Sequence, residues 1–94
     1  MLLNVFSIFD VKSDAFLTPF FFPTKGQAIR AFKDLANDAQ STINRHPEDY
    51  KLCHVGTFHD DSASFESSGV LSLGFATDYL DRPSVVSLKE VGNG

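Results

Sequence analysis

Tryptophan is absent from this chain, cysteine and methionine occur once each, and there are only four prolines and six glycines in 94 residues. A single cysteine, Cys53, excludes an internal disulfide, and without CxxC spacing it offers no thiolate metal site, so a reducing, intracellular setting is expected. No apolar run approaches the ~20 residues that span a bilayer. Met1-Leu2-Leu3 lacks the basic start and apolar core of a signal peptide, so a soluble cytoplasmic protein is expected. Internal repeats and low-complexity tracts are missing. No nucleophile sits in a catalytic motif and the carboxylates gather in turns, so no enzyme is expected. The length allows one domain with a modest core, which makes oligomerisation an open route to stability.

What the chain has in excess is phenylalanine, ten of them beside two tyrosines. The net charge is −4, which argues against indiscriminate nucleic-acid binding, but the charge is unevenly spread. Residues 1–46 carry five Lys or Arg against four Asp; residues 47–94 carry three against eight Asp or Glu. An anion-binding surface is therefore expected in the first half.

The pattern is organised around Pro19 to Asn37, PFFFPTKGQAIRAFKDLAN. Thr24 reads as a helix N-cap with Gln27 completing a capping box. Ala28, Ile29, Ala31, Phe32, Leu35, Ala36 and Ala39 then fall on one wide apolar stripe, with Arg30, Lys33 and Asn37 opposite. Such a stripe requires a sheet to lie on. Leu2 to Phe9 supplies a strand with Leu3, Val5 and Phe9 on one face and Leu2, Phe6 and Ile8 on the other, covered on both sides. Ala15 to Phe22 returns as a second strand, at an edge or broken at Pro19, which has no N–H to give. The helix fades near Asp38 to Thr42, and residues 44–49 form a polar connection. Tyr50 to Phe58 is a third strand with Tyr50, Leu52, His54 and Phe58 on one face, Cys53 and Val55 on the other, and Gly56 as a bulge or a point of close backbone approach. After a turn at His59–Ser62, Ala63 to Glu66 is a short fourth strand. Ser67-Ser68-Gly69 breaks it, and residues 70–75 extend again. The fold class is α+β, a two-layer β-β-α-β-β arrangement with one long helix on an antiparallel sheet and residues 70–75 as a fifth strand. Residues 1–80 form the domain and 81–94 a mobile tail.

Four pieces in this order, SIFDVKSDAFLTPFF, TKGQAIRAFKDLAND, HPEDYKL and VGTFHDDSASFE, resemble the small non-structural protein of the gokushoviruses, single-stranded DNA bacteriophages of the microvirus group. The resemblance runs from about residue 3 to residue 75. It implies a DNA-binding protein acting at the switch from duplex replication to single-stranded genome synthesis and packaging, with no enzyme activity, no metal and no cofactor, in the cytoplasm of the infected bacterium. Phe9 stands where a basic residue is expected from the family, so the resemblance carries no phosphate-gripping role to that position.

The candidate binding residues come from the chemistry of the side chains. In Phe20-Phe21-Phe22 neighbours alternate faces, so one or two rings must point away from the helix, free to stack on bases or to pack in a subunit interface. Thr24-Lys25-Gly26 is either a phosphate-holding helix start or an ordinary cap. Arg30 and Lys33, with Lys12 and Arg45 nearby, form either a phosphate-contacting face or a solvated one in which Arg30 pairs with Asp34. His46, Cys53, His54, His59, Asp60 and Asp61 are metal-ligand types, but Cys53 and His54 point to opposite strand faces and the rest sit in turns, so no metal site is expected. Two functions stay in view. One is a single-stranded DNA-binding protein, as a homodimer or larger oligomer, using Lys12, Phe20, Phe21, Phe22, Lys25, Arg30, Lys33 and Arg45. The other is an interaction module for phage replication or capsid proteins that makes no DNA contact, favoured by the acidic second half.

Overall fold

In the computed structural model, which describes residues 1–81, the helix start is built as its residues dictate. Thr24 has extended backbone angles, its hydroxyl accepts from the Gln27 N–H at 3.2 Å, and the Gln27 side chain accepts from the Thr24 N–H at 3.2 Å. Two of the otherwise unpaired donors of the first turn are thereby satisfied. The helix that follows, α1, spans Lys25–Ala36 and buries Ala28, Phe32 and Ala36. Ala39 lies beyond its end, and Leu35 is exposed at the stripe's margin.

The sheet beneath it contains β1 (Leu2–Asp10), β2 (Ala15–Phe16), β3 (Phe20–Phe22), β4 (Tyr50–His59) and β5 (Ser64–Phe75). All ladders are antiparallel; the order is β2-β1-β4-β5, with β3 also pairing β1. β2 and β3 are two pieces of one edge, interrupted around Pro19 as its missing donor requires. A short helix α2 (Thr42–Arg45), capped by the Ser41 hydroxyl, and a 3₁₀ turn at Pro47–Asp49 occupy the stretch read from the sequence as a plain connection. A second 3₁₀ turn, Ala76–Tyr79, follows β5. Its Tyr79 ring meets Phe32 edge-on at 5.9 Å, and Asn37 ties it to α1 by donating to the Tyr79 carbonyl.

The core lies between α1 and one sheet face. Phe6, Ile8 and Leu52 from the sheet meet Ala28, Phe32 and Ala36 from the helix, with Ile43 and Ala76 closing the sides. Phe6 and Phe32 are at most 1% exposed, and burying such rings contributes roughly 1.5–3 kcal/mol each. The architecture is α+β, an antiparallel sheet under one main helix, as the sequence pattern predicts.

Two details of the ladder depart from the sequence reading. β5 is one continuous strand rather than two separated at Ser67–Gly69, because the break is absorbed as a bulge. His54 pairs with Leu71 and Gly56 with Ser67, so Val55 alone faces Ser68, Gly69 and Val70, and Gly69 takes φ +80°. Val55 is also the extra residue against β1, where Val5 pairs with Gly56 and Phe6 with His54. That insertion flips the alternation. Tyr50, Leu52 and His54 face the helix as expected, but Phe58 falls on the opposite face. At Gly56 the β5 backbone comes so close that a Cβ would overlap the Glu66 carbonyl oxygen.

Thr24→Ala should lower stability by about 1 kcal/mol through the lost cap. Gly56→Ala, which must push strand backbone aside, should cost about 1–3 kcal/mol, and thermal melts of the two variants would rank them.

Candidate nucleic-acid interface

One face of the sheet carries no helix, and its register can be read residue by residue. β1 presents Leu3, Val5, Ser7 and Phe9 there. Phe16 and Phe21 are paired with Phe9 and Val5. β4 and β5 add Lys51, Cys53, Gly56, Phe58 and Phe65, Ser67, Ser72, Phe75 in matched pairs. None of these paired residues is acidic.

The aromatic rings gather at two ends. At one, Phe21, Phe58 and Phe65 form a cluster with ring centroids 4.7–6.2 Å apart. At the other, Phe9 and Phe16 lie 4.8 Å apart, and the Lys51 ammonium sits 5.5 Å from the Phe9 ring and 5.7 Å from that of Phe75. Such placement holds the lysine by cation–π attraction while leaving its N–H donors available. Along β1 the two platforms are about 15–20 Å apart. Between them runs a row of small residues in register, Ser7, Cys53 and Ser72.

The middle of this face is buried although no helix covers it: Val5 is 6%, Ser7 3% and Cys53 0% exposed. Beside Val5 the Glu66 backbone lies against Gly56 and the rings of Phe21, Phe58 and Phe65 gather. The Ser7 hydroxyl donates to the Leu17 carbonyl at 2.6 Å, so its burial leaves no donor unmet. Burial pushes the Cys53 thiol up, against a smaller opposing effect of Lys51, which keeps it protonated and unreactive. The rings that stay open are Phe65 at 66%, Phe16 at 47% and Phe21 at 40% exposed.

The sequence-derived candidates divide across the two layers. Phe21 is on the open face, and Lys12 is in the turn beyond the Phe9–Phe16 pair. Phe20 and Phe22 pack against the helix core. Lys25, Arg30 and Lys33 are on α1, which covers the other face, and Lys33 pairs with Asp81 at 3.2 Å. Arg45 is on α2, directed to the Thr42 hydroxyl at 3.4 Å. The structure therefore does not bring the helix cations together with the exposed rings. Lys51, Phe9, Phe16, Phe58, Phe65 and Phe75 were missed from sequence; period-2 alternation finds Lys51 beside Cys53, but Phe58 needs the bulge.

On the helix side, His54 is 8% exposed, stacked edge-on to Phe6 at 5.3 Å, with Nε2 3.0 Å from Asn4 Oδ1. Asn4 Nδ2 donates in turn to the Pro23 carbonyl at 2.9 Å, so this chain of contacts fixes the entry to α1. An apolar cleft of about 330 Å³ opens between the interrupted edge and α1, lined by Ile8, Phe20, Phe21, Phe22, Ala31, Phe32 and Leu35. Its opening explains the exposure of Leu35. Among the metal-ligand types, only His46 joins a cluster among the described residues, with Glu48 and Asp49 on the 3₁₀ turn, ligand atoms within 4.8 Å of one another.

A single helix lies on one face of an antiparallel sheet whose second face is aromatic, cationic at one point and without acids among its paired residues, which defines a small α+β domain. Residues 3–73 match the model of the phage ORF5 protein family, and the chain belongs to that family. No curated protein and no solved structure matches it. As a phage protein it is made in the host cell, and among the described residues no helix is long and apolar enough to cross a membrane.

Desolvation, with a smaller contribution from the Lys25 charge, lowers the His54 pKa below its ordinary 6.5. The unfolded chain then binds more protons than the folded one as pH falls below about 6.5, so stability is complete above that value and declines under it. The melting temperature should drop between pH 7.5 and pH 5.5, and His54→Gln should flatten that part of the slope; an unchanged slope would remove His54 as its source.

Proposed function

We infer that this chain is a phage non-structural single-stranded DNA-binding protein of the gokushovirus type, acting where duplex replication gives way to single-stranded genome synthesis. The observation that carries the reading is the helix-free sheet face, with two aromatic platforms, Lys51 between Phe9 and Phe75, and no acid among its paired residues. A single strand can stack unpaired bases on Phe16, Phe21 and Phe65, gaining roughly 1–3 kcal/mol per base whatever the sequence. A duplex keeps its bases stacked inside and offers this face only phosphates. With one lysine on the face and a net charge of −4, phosphate attraction is weak here, so stacking must supply most of the affinity.

A second reading, a module that binds phage replication or capsid proteins, draws support from the 330 Å³ apolar cleft and from the position of the helix cations away from the rings.

Fluorescence anisotropy with a labelled single-stranded oligonucleotide, beside a duplex of the same sequence, tests the first reading. Single-strand binding should exceed duplex binding. Phe65→Ala and Lys51→Ala should each weaken it by about tenfold, and Lys33→Ala should leave it nearly unchanged. The logarithmic salt slope should be shallow, near −0.7 for each phosphate contacted. Folded protein that binds no single strand at low salt would exclude the reading and favour the protein-partner alternative.

A further inference from the structure

The two edges of the sheet are treated differently. The β2–β3 edge is cut into strands of two and three residues with Pro19 between them, which leaves little for another strand to pair with. The β5 edge runs for twelve residues, Ser64–Phe75, and ends the sheet order; no strand pairs with its outer side among the described residues, while at its C-terminal end the Leu73 carbonyl accepts from the Tyr79 hydroxyl and the Phe75 N–H donates to Asp78 at 2.8 Å, leaving Ser64–Ser72 as the open stretch. Its sequence, SFESSGVLSLGF, contains no Lys or Pro and one charge, Glu66. Phe65, Val70 and Leu71 stand out from it at 66%, 61% and 49% exposure. A long, weakly charged edge without Lys or Pro is the kind that pairs with another strand.

We propose that the β5 edge is a docking site for the β5 edge of a second copy of this chain, in an antiparallel, two-fold pairing. An antiparallel strand edge is self-complementary, so one surface serves both partners. The area supports a weak dimer. The open stretch Ser64–Ser72 is about 30 Å long, and with a sheet depth of about 10 Å its edge offers roughly 300 Å² per copy. Twice that is the size of a weak, transient contact, to which Val70 and Leu71 from both copies add apolar area while Phe65 stays on the helix-free face. The Ser68–Val70 bulge interrupts the ladder and holds the affinity down, in the micromolar range. Pairing extends each copy's helix-free face into that of its neighbour, but the inference does not depend on what that face binds.

Sedimentation velocity of the full chain, without nucleic acid, across the micromolar range decides it. A concentration-dependent monomer–dimer equilibrium is expected. Val70→Lys with Leu71→Lys should weaken it at least ~tenfold while far-UV circular dichroism and the melting temperature stay near those of the parent, since both side chains are exposed. Phe16→Ser, on the helix-free face away from β5, should leave the dimer intact. A chain that is monomeric at every concentration would overturn the proposal, and so would a dimer indifferent to the lysines or one lost with Phe16.

Discussion

One twelve-residue helix has a single apolar stripe, and it can cover only one face of the sheet it lies on. Everything else about this molecule follows from that limit. Phe6, Ile8 and Leu52 find their cover in Phe32 and its neighbours, and the helix start is fixed by its own cap and by the Asn4 contact to Pro23. The other face must manage without a layer. It does so by curling: β5 is drawn against Gly56, the rings of Phe21, Phe58 and Phe65 lean together, and Val5, Ser7 and Cys53 are buried. The cost of that solution is an aromatic rim left partly in water.

The same limit separates the two ingredients that the sequence places side by side. Phe21 and Lys25 are four residues apart, yet one belongs to the open face and the other to the layer on the far side. Positive charge for the open face comes instead from Lys51 in the acidic half of the chain, held between two rings. Any ligand of this face meets rings first and charge second. That ordering suits unpaired bases better than a duplex backbone.

Much of the fold is legible in the residues because the decisive signals are local. The capping box, the interruption at Pro19 and the two-sided burial of β1 each follow from a few neighbouring side chains, as does the splitting of Phe20-Phe21-Phe22 between two faces, though which ring turns outward does not. What is not legible depends on pairing between distant residues. One inserted residue at Val55 moves Phe58 to the other face, and nothing in YKLCHVGTF announces it beyond Gly56. Ser67-Ser68-Gly69 has the composition of a loop, but the β4 ladder holds it as a bulge in a continuous strand. α2 is only four residues long, below the length at which periodicity speaks. The reading of residues 81–94 as a tail falls, from residue 82 onward, outside the described residues.

The face without a helix is the one proposed to bind. Amide chemical-shift mapping during titration with a short single-stranded oligonucleotide tests it most directly. Perturbations are expected at Phe9, Phe16 and Phe21, at Lys51 and Phe58, and at Phe65 and Phe75, with α1 quiet. Perturbations centred on Lys25, Arg30 and Lys33 would contradict it and move the site to the helix.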